Sequence, residues 1–278
     1  MGLVEQADEP ALVRRQLGRH LRRLRLAAGK THADAETAGM GHRSTLWRIE
    51  AGRGKVRPST VRALCWLYDA DAATSDALYA MACRAEQPGW WEEYRGDLPD
   101  WFALYIELEA AARRISAYQP HVVDGLLQTP DYARALFTAG HPRRSRAEVE
   151  RQVQIRLGRQ QQLLARADAV QLNVMLCEAA LMRAIGGPDV LAAQREHLRQ
   201  LNRRDTIDVR VVSFAAGAHP AVDGHFTVLD LDSEADPDVV YLESFQGSRY
   251  LETSSELALY RGIFAEVWEG ATPLEEHL

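Results

Sequence analysis

Residues 31–64 read THADAETAGMGHRSTLWRIEAGRGKVRPSTVRAL, and their punctuation decides the fold of the N-terminal part of the chain. Thr31-His-Ala-Asp34 has the form of a capping box, with Asp in place of the usual Glu or Gln, and predicts the start of a short helix. Gly39-Met-Gly41 breaks that helix. Another is expected from about His42 to Ala51, with Leu46 and Ile49 inward, and Gly52-Arg-Gly54 stops it. Pro58-Ser59 opens the next, with Val61, Leu64 and Leu67 inward. Upstream, Leu17, Leu21 and Leu24 fall at i, i+4 and i+7 on a helix over about Val13–Ala28 that Gly29 ends. Two short helices joined through a glycine turn, with a helix on either side, form the layout of a helix-turn-helix. Its second member lies in a major groove with its early residues towards base edges.

The charge distribution agrees. Residues 11–70 hold 13 Arg/Lys against 4 Asp/Glu, a formal +9. The remainder holds 20 against 35, or −15, within a chain of net charge −6. The predominance of Arg over Lys matches a GC-rich coding sequence and carries no functional weight. A net acidic protein with one basic end touches a polyanion with that end rather than coating it. On the expected groove helix, Arg43 or Arg48 is suited to the bidentate contact with guanine O6 and N7. Ser44, Thr45 and His32, near helix starts, suit phosphate oxygens. His42 and Trp47 share the exposed surface, and Arg53, Lys55 and Arg57 follow in a loop that would flank the groove.

These residues carry a family resemblance. The stretch resembles the xenobiotic-response-element (Cro/C1-like) helix-turn-helix family. The points of likeness are Thr31 opening the second helix, Gly39 in the turn, Ser44-Thr45 in the groove helix, Arg48-Ile49-Glu50 with Gly52, and Pro58-Ser59. Two positions depart from the pattern. His32 stands where the family usually has a glutamine that touches DNA, and Ala35 where a larger aliphatic packs. The resemblance implies sequence-specific binding to double-stranded DNA.

Pro88-Gly89 marks a boundary. The expected organisation is a helix-turn-helix domain over 11–75, a helical linker over 76–93 and a larger domain over 94–278. Trp90 and Trp91, beside the boundary, read as interdomain or partner anchors. Beyond it, helices are expected over 100–118, from Thr129-Pro130-Asp131, over 145–166 (stripe Val149, Val153, Leu157, Leu164), over 188–203 and from Ser254. Alternation predicts strands at Gln171–Leu176, Ile207–Ser213, His225–Leu231, Val239–Ser244 and Arg249–Glu252. The fold class is therefore α+β: an all-α helix-turn-helix domain followed by a larger mixed helix/strand domain with a predominantly C-terminal β-sheet.

The segments WFALYIELEAAARRI, YQPHVVDGLLQTPDYARAL, RLGRQQQLL, GAHPAVDGHFTVLDL and DVVYLES follow in that order through residues 101–244. Together they resemble the C-terminal domain of a group of actinomycete antitoxin-like transcriptional regulators. That resemblance implies a transcription factor whose large domain receives a signal, often from a small partner protein encoded nearby.

Catalytic motifs are sparse. His219 and His225 with Asp223 are spaced too loosely for a helical zinc pair and sit in a Pro/Gly turn region. Glu178 and Glu243 are strand-associated carboxylates, and Cys177 reads as a small core residue. There is no G-x-S-x-G, no phosphate loop and no G-x-G-x-x-G. The Arg/Gln-rich stretch 151–162 reads as a solvated face or as paired with Asp/Glu of its own domain. No enzyme activity, cofactor or metal is expected. Three widely spaced cysteines, no apolar run near ~18 residues and an acidic Met1–Pro10 segment argue for a cytoplasmic protein without membrane association. The reading is a DNA-binding transcription regulator, expected to be a homodimeric repressor that receives a small protein or small-molecule effector. The alternative is an antitoxin-like protein-binding module that sequesters a small partner.

Overall fold

The computed structural model describes residues 10–52, 55–85, 100–164, 166, 169–231 and 237–278, with residues 94 and 98. Two units emerge, Met1–Glu93 and Tyr94–Leu278. The first contains α1 (Pro10–Ala27), α2 (His32–Thr37), α3 (Arg43–Glu50), α4 (Pro58–Leu67) and α5 (Ala72–Ala85). The glycines that punctuate the sequence take left-handed φ values at Gly29 (64°), Gly39 (76°) and Gly52 (68°), which side chains with a Cβ resist. Leu17 and Leu21 of α1, Ala35 of α2, Leu46 and Ile49 of α3, and Val61 and Leu64 of α4 close one core. Leu78 and Ala82 of α5 join it, so residues 76–85, read from sequence as linker, pack into this unit.

Two close approaches set the position of α1 on α3. A Cβ on Gly18 would fall 2.4 Å from the Ile49 carbonyl oxygen and 2.8 Å from that of Glu50. One on Gly52 would fall 2.8 Å from Arg15 Cα. The first helix therefore presses, backbone against backbone, on the last turn of the third.

The second unit is built on a seven-stranded sheet ordered β6-β5-β4-β1-β2-β3-β7. The strands are β1 (Ala112–Gln119), β2 (Gln171–Cys177), β3 (Ile207–Val212), β4 (Phe226–Leu231), β5 (Val239–Ser244), β6 (Gly247–Leu251) and β7 (Thr272–Pro273). The first three are mutually parallel, and the remaining pairings are antiparallel. Helices α6 (Asp100–Ala111), α7 (Pro130–Gly140), α8 (Arg146–Leu164), α9 (Glu178–Met182), α10 (Pro188–Leu201) and α11 (Ser254–Gly270) complete it. No described helix is long and apolar enough to cross a membrane.

The helix expected over 100–118 is corrected: it stops at Ala111, and residues 112–119 form β1, the central strand. This strand is hydrogen-bonded on both sides, to β2 and β4, and Ile115, Ala117 and Tyr118 are buried. Two ladders and burial of both faces outweigh the helix propensity of its Ala and Arg residues. Helix α8 also buries a different stripe from the one expected. Val149 and Val153 are buried, Leu157 and Leu164 only half so, and Ile155, Arg159 and Leu163 complete the inward face. Buried Arg159 grips buried Glu109 of α6 with two bonds, Nε to Oε1 at 2.8 Å and Nη2 to Oε2 at 2.6 Å. Arg156 donates to Gln128 Oε1, and Gln160 Nε2 donates to the carbonyls of Gly125 (2.8 Å) and Gln128 (2.9 Å). Arg156, Arg159 and Gln160 of the stretch 151–162 are thus engaged within their own domain, while Arg151, Gln161 and Gln162 are exposed.

Gly18→Ala should destabilise the first unit by about 1–3 kcal/mol, since its methyl must displace backbone. Gly262→Ala in α11, where an added Cβ meets open space, should instead stabilise its helix by about 0.5–1 kcal/mol. Urea unfolding of the two variants checks this, and equal midpoints would contradict the close approach.

Candidate nucleic-acid interface

The site begins at the turn between α2 and α3. Thr31 and Asp34 form the capping box that starts α2: the Thr31 amide donates to Asp34 Oδ2 at 2.7 Å and the Asp34 amide to Thr31 Oγ1 at 3.2 Å. The Thr31 amide, with the Thr31 hydroxyl donating to the same Oδ2 at 2.8 Å, holds the Asp34 carboxyl below its ordinary pKa. His42 caps α3, its Nδ1 accepting from the Ser44 amide at 3.3 Å. Glu36, on α2, accepts from the Arg43 amide at 3.2 Å and lies 2.8 Å from Arg43 Nε. One carboxylate therefore fastens the first turn of α3 to the preceding helix.

Along α3, Leu46, Ile49 and Glu50 face inward, while Arg43, Ser44, Thr45, Trp47 and Arg48 are exposed. Ser44, Trp47 and Arg48 fall at i, i+3 and i+4 and form one outward stripe, with Arg43 one turn before Trp47. From Arg43 to Arg48 the helix rises about 7.5 Å, roughly two base-pair steps of a duplex at ~3.4 Å each. Trp47 keeps half of its surface exposed, 52 %, so it is not a core residue of this unit. Lys55 and Arg57 are exposed in the segment entering α4. Arg53, Trp90 and Trp91 lie outside the described residues.

His32 has a different setting from the other candidates. It is half-buried, with Nε2 3.0 Å from Glu50 Oε2, though off the line that a hydrogen bond requires. The same carboxylate is gripped by Arg25 of α1, Nε to Oε1 at 2.6 Å and Nη2 to Oε2 at 2.8 Å. Arg25 Nη1 further donates to the Lys30 carbonyl at 3.0 Å, closing the α1–α2 turn. Bonding to Glu50 raises the Arg25 pKa, and burial followed by the Glu50 charge pushes the Tyr68 hydroxyl up to about 12. Glu50 is thus the polar anchor of the unit, joining α1, α2 and α3. Sequence reasoning took it only as part of the Arg48-Ile49-Glu50 likeness. An ionisable residue at an inward helical position was the available sign.

In the second unit the chemistry-bearing candidates do not converge. The Glu178 carboxylate accepts from the Phe214 amide at 2.7 Å, and Glu243 accepts from the Tyr241 hydroxyl at 3.1 Å. Glu178 opens α9 at the end of β2, and β2 and the β5 of Glu243 stand three places apart in the sheet, about 14 Å at ~4.8 Å per strand. His219 has Nε2 3.3 Å from the Tyr118 hydroxyl and accepts at Nδ1 from the Ala221 amide. Among the described residues, no three His, Cys, Asp or Glu side chains are grouped to hold a metal.

Comparison with known families agrees with this division. The helix-turn-helix domain family matches residues 16–78, spanning α2, α3 and α4, and points to a DNA-binding regulator. The chain belongs to the family defined by a domain of unknown function (DUF5753), which matches residues 102–277. No curated protein and no solved structure matches the sequence.

Glu50→Gln should cost about 3–5 kcal/mol of stability, because it leaves Arg25 charged and buried. The double variant Arg25→Met/Glu50→Leu should lose less than Glu50→Gln alone, because neither charge remains. Denaturant titration of the three proteins tests the pair, and a double variant worse than the single would contradict it.

Proposed function

We propose that this protein is a sequence-specific repressor of the Cro/C1-like type, acting as a homodimer in the cytoplasm. The observation that carries the reading is the exposed face of α3, where Arg43, Ser44, Trp47 and Arg48 stand on the most basic part of the chain. Arg43 and Arg48 are the side chains suited to read guanine. His42, Ser44, Thr45, Lys55, Arg57 and Arg53 would contact phosphates, which orient the helix without specifying sequence. His32, seated on Glu50, is assigned to holding the domain together. To enter the groove, Arg43 would exchange Glu36 for a base edge. Dimerisation follows from reach: one such helix reads few base pairs, and two address half-sites a helical turn apart.

The acidic second unit, repelled by DNA, is assigned the role of receiver. It would act by binding, not catalysis, since Glu178 and Glu243 are each engaged and far apart. A second reading, sequestration of a small partner protein in the manner of an antitoxin, is favoured by a specific feature. Met182, Phe214, Val222 and Phe245 are all exposed. They sit in connections at one end of the sheet, where β1, β2 and β3 terminate. Exposed apolar side chains that share one end of a sheet are where a partner would dock.

Arg43→Ala or Arg48→Ala should cost about 1–3 kcal/mol on a selected sequence and relax the preference at one base pair. Lys55→Ala or Arg57→Ala should weaken binding to all sequences alike and lower the salt slope by about 1. Fluorescence-anisotropy titrations across salt concentrations, on selected and scrambled duplexes, separate the two effects. Four variants indistinguishable on both duplexes would overturn the assignment of α3 as the reading helix.

A further inference from the structure

The sheet face beneath α11 changes character along its strands. Towards the ends of β1, β2 and β3, Tyr118, Met175 and Val212 pack with Phe226, Leu257 and Val267 in a continuous apolar core. Two residues earlier on the same face stand Ser116 and Asn173, which the parallel register sets side by side. A further two residues back, Arg114 pairs across the antiparallel register with Asp230. Between this polar strip and α11 lies a cleft of about 280 Å³, walled on the helix side by Phe264 and Trp268.

The polar groups of this cleft are not matched to one another. Ser116 is 8 % exposed and Asn173 half-buried, and among the described residues neither side chain makes a hydrogen bond. Both line the cleft, where their polar atoms are open to a ligand or to water. Asp230 is occupied: it accepts from Arg261, which also reaches Asp238. Arg114 is paired with Asp230 only loosely, at 3.9 Å without a hydrogen bond, and its side chain is 54 % exposed. Arg261 is thus shared between two carboxylates, whereas the donors of Arg114 make no hydrogen bond. The apolar wall is held in place. Phe264 and Trp268 stack at 5.2 Å with 23° between their planes. The Arg210 guanidinium lies 4.5 Å over the Trp268 ring while donating to the Trp268 carbonyl.

We propose that this cleft binds a small aromatic carboxylate. The ring would lie against Phe264 and Trp268, and the carboxylate would accept from Arg114 and the Ser116 hydroxyl, with Asn173 beside it. A monoanion suits Arg114, whose donors no protein carboxylate takes up in a hydrogen bond. A phosphate dianion would leave a negative charge uncompensated next to Asp230. The volume lies at the small end of ligand pockets, about 300–1,000 Å³, which favours a compact ring system over a dinucleotide or a peptide. The proposal deepens the receiver reading by naming a signal class. Binding is measured without DNA, so the site and the regulatory role fail separately.

Isothermal titration of the full-length protein with phenylacetate and indole-3-acetate tests it, against phenylacetamide, benzylamine and inorganic phosphate. At least one carboxylate should bind with one-to-one stoichiometry, ahead of benzylamine and phosphate. Arg114→Gln should weaken that carboxylate about tenfold or more, as expected for loss of a charge-assisted bond, and leave phenylacetamide nearly unchanged. Ala265→Trp and Ser116→Leu, which fill the cleft from the helix side and the sheet side, should each abolish binding. Circular dichroism identifies a variant that fails to fold, and the other then decides. The proposal is overturned if neither carboxylate binds, if benzylamine or phosphate binds as well, or if a folded, filled variant binds normally.

Discussion

The buried carboxylate of Glu50, gripped at both oxygens by Arg25, is the constraint on which the N-terminal unit depends. Neither charge is tolerable alone in that setting, so α1 and the C-terminal end of α3 are held at one separation and one register. The close approach at Gly18 makes this possible, because any side chain there would hold α1 away from the Ile49 and Glu50 carbonyls. At the other end of α3, Glu36 and the His42 cap fix the first turn to α2. The helix is therefore clamped at both ends, and its exposed middle is free to vary in sequence without moving. A reading helix needs that combination of rigid placement and unconstrained outward side chains.

The second unit uses its polar residues differently on the two faces of its sheet. On one side, the Arg159–Glu109 pair and the amides of Gln128 and Gln160 tie α8, α6 and the 120–128 segment together. Under α11, Ser116, Asn173 and Arg114 line a cleft, and among the described residues none of them makes a side-chain hydrogen bond.

The helices of the first unit were legible because local chemistry determines their ends. The Thr31/Asp34 capping box, the glycines with positive φ and Pro58 act within a few residues of where they stand. Strands β2 to β5 were legible for the same reason, since alternation and turn residues are local signals. The strand β1 was not. Residues 112–119 contain Ala and Arg in good helical company, and they become a strand only because β2 and β4, far along the chain, supply both ladders. The polar floor of the cleft was hidden with it: Ser116 and Asn173 become neighbours only through the β1–β2 register. Likewise, Arg25 and Glu50 are adjacent only after α1 has folded back on α3, so the tether that holds the candidate reading helix left almost no mark in the sequence.

The central claim is that α3, clamped in this way, reads DNA in a major groove from a two-fold pair of such domains. Hydroxyl-radical footprinting on genomic fragments selected by the full-length protein tests it most directly. The account predicts two protected tracts on one face of the duplex, with centres about 34–36 Å apart or a multiple of that. Fragments that share no sequence, or a single unpaired protected tract, would contradict it.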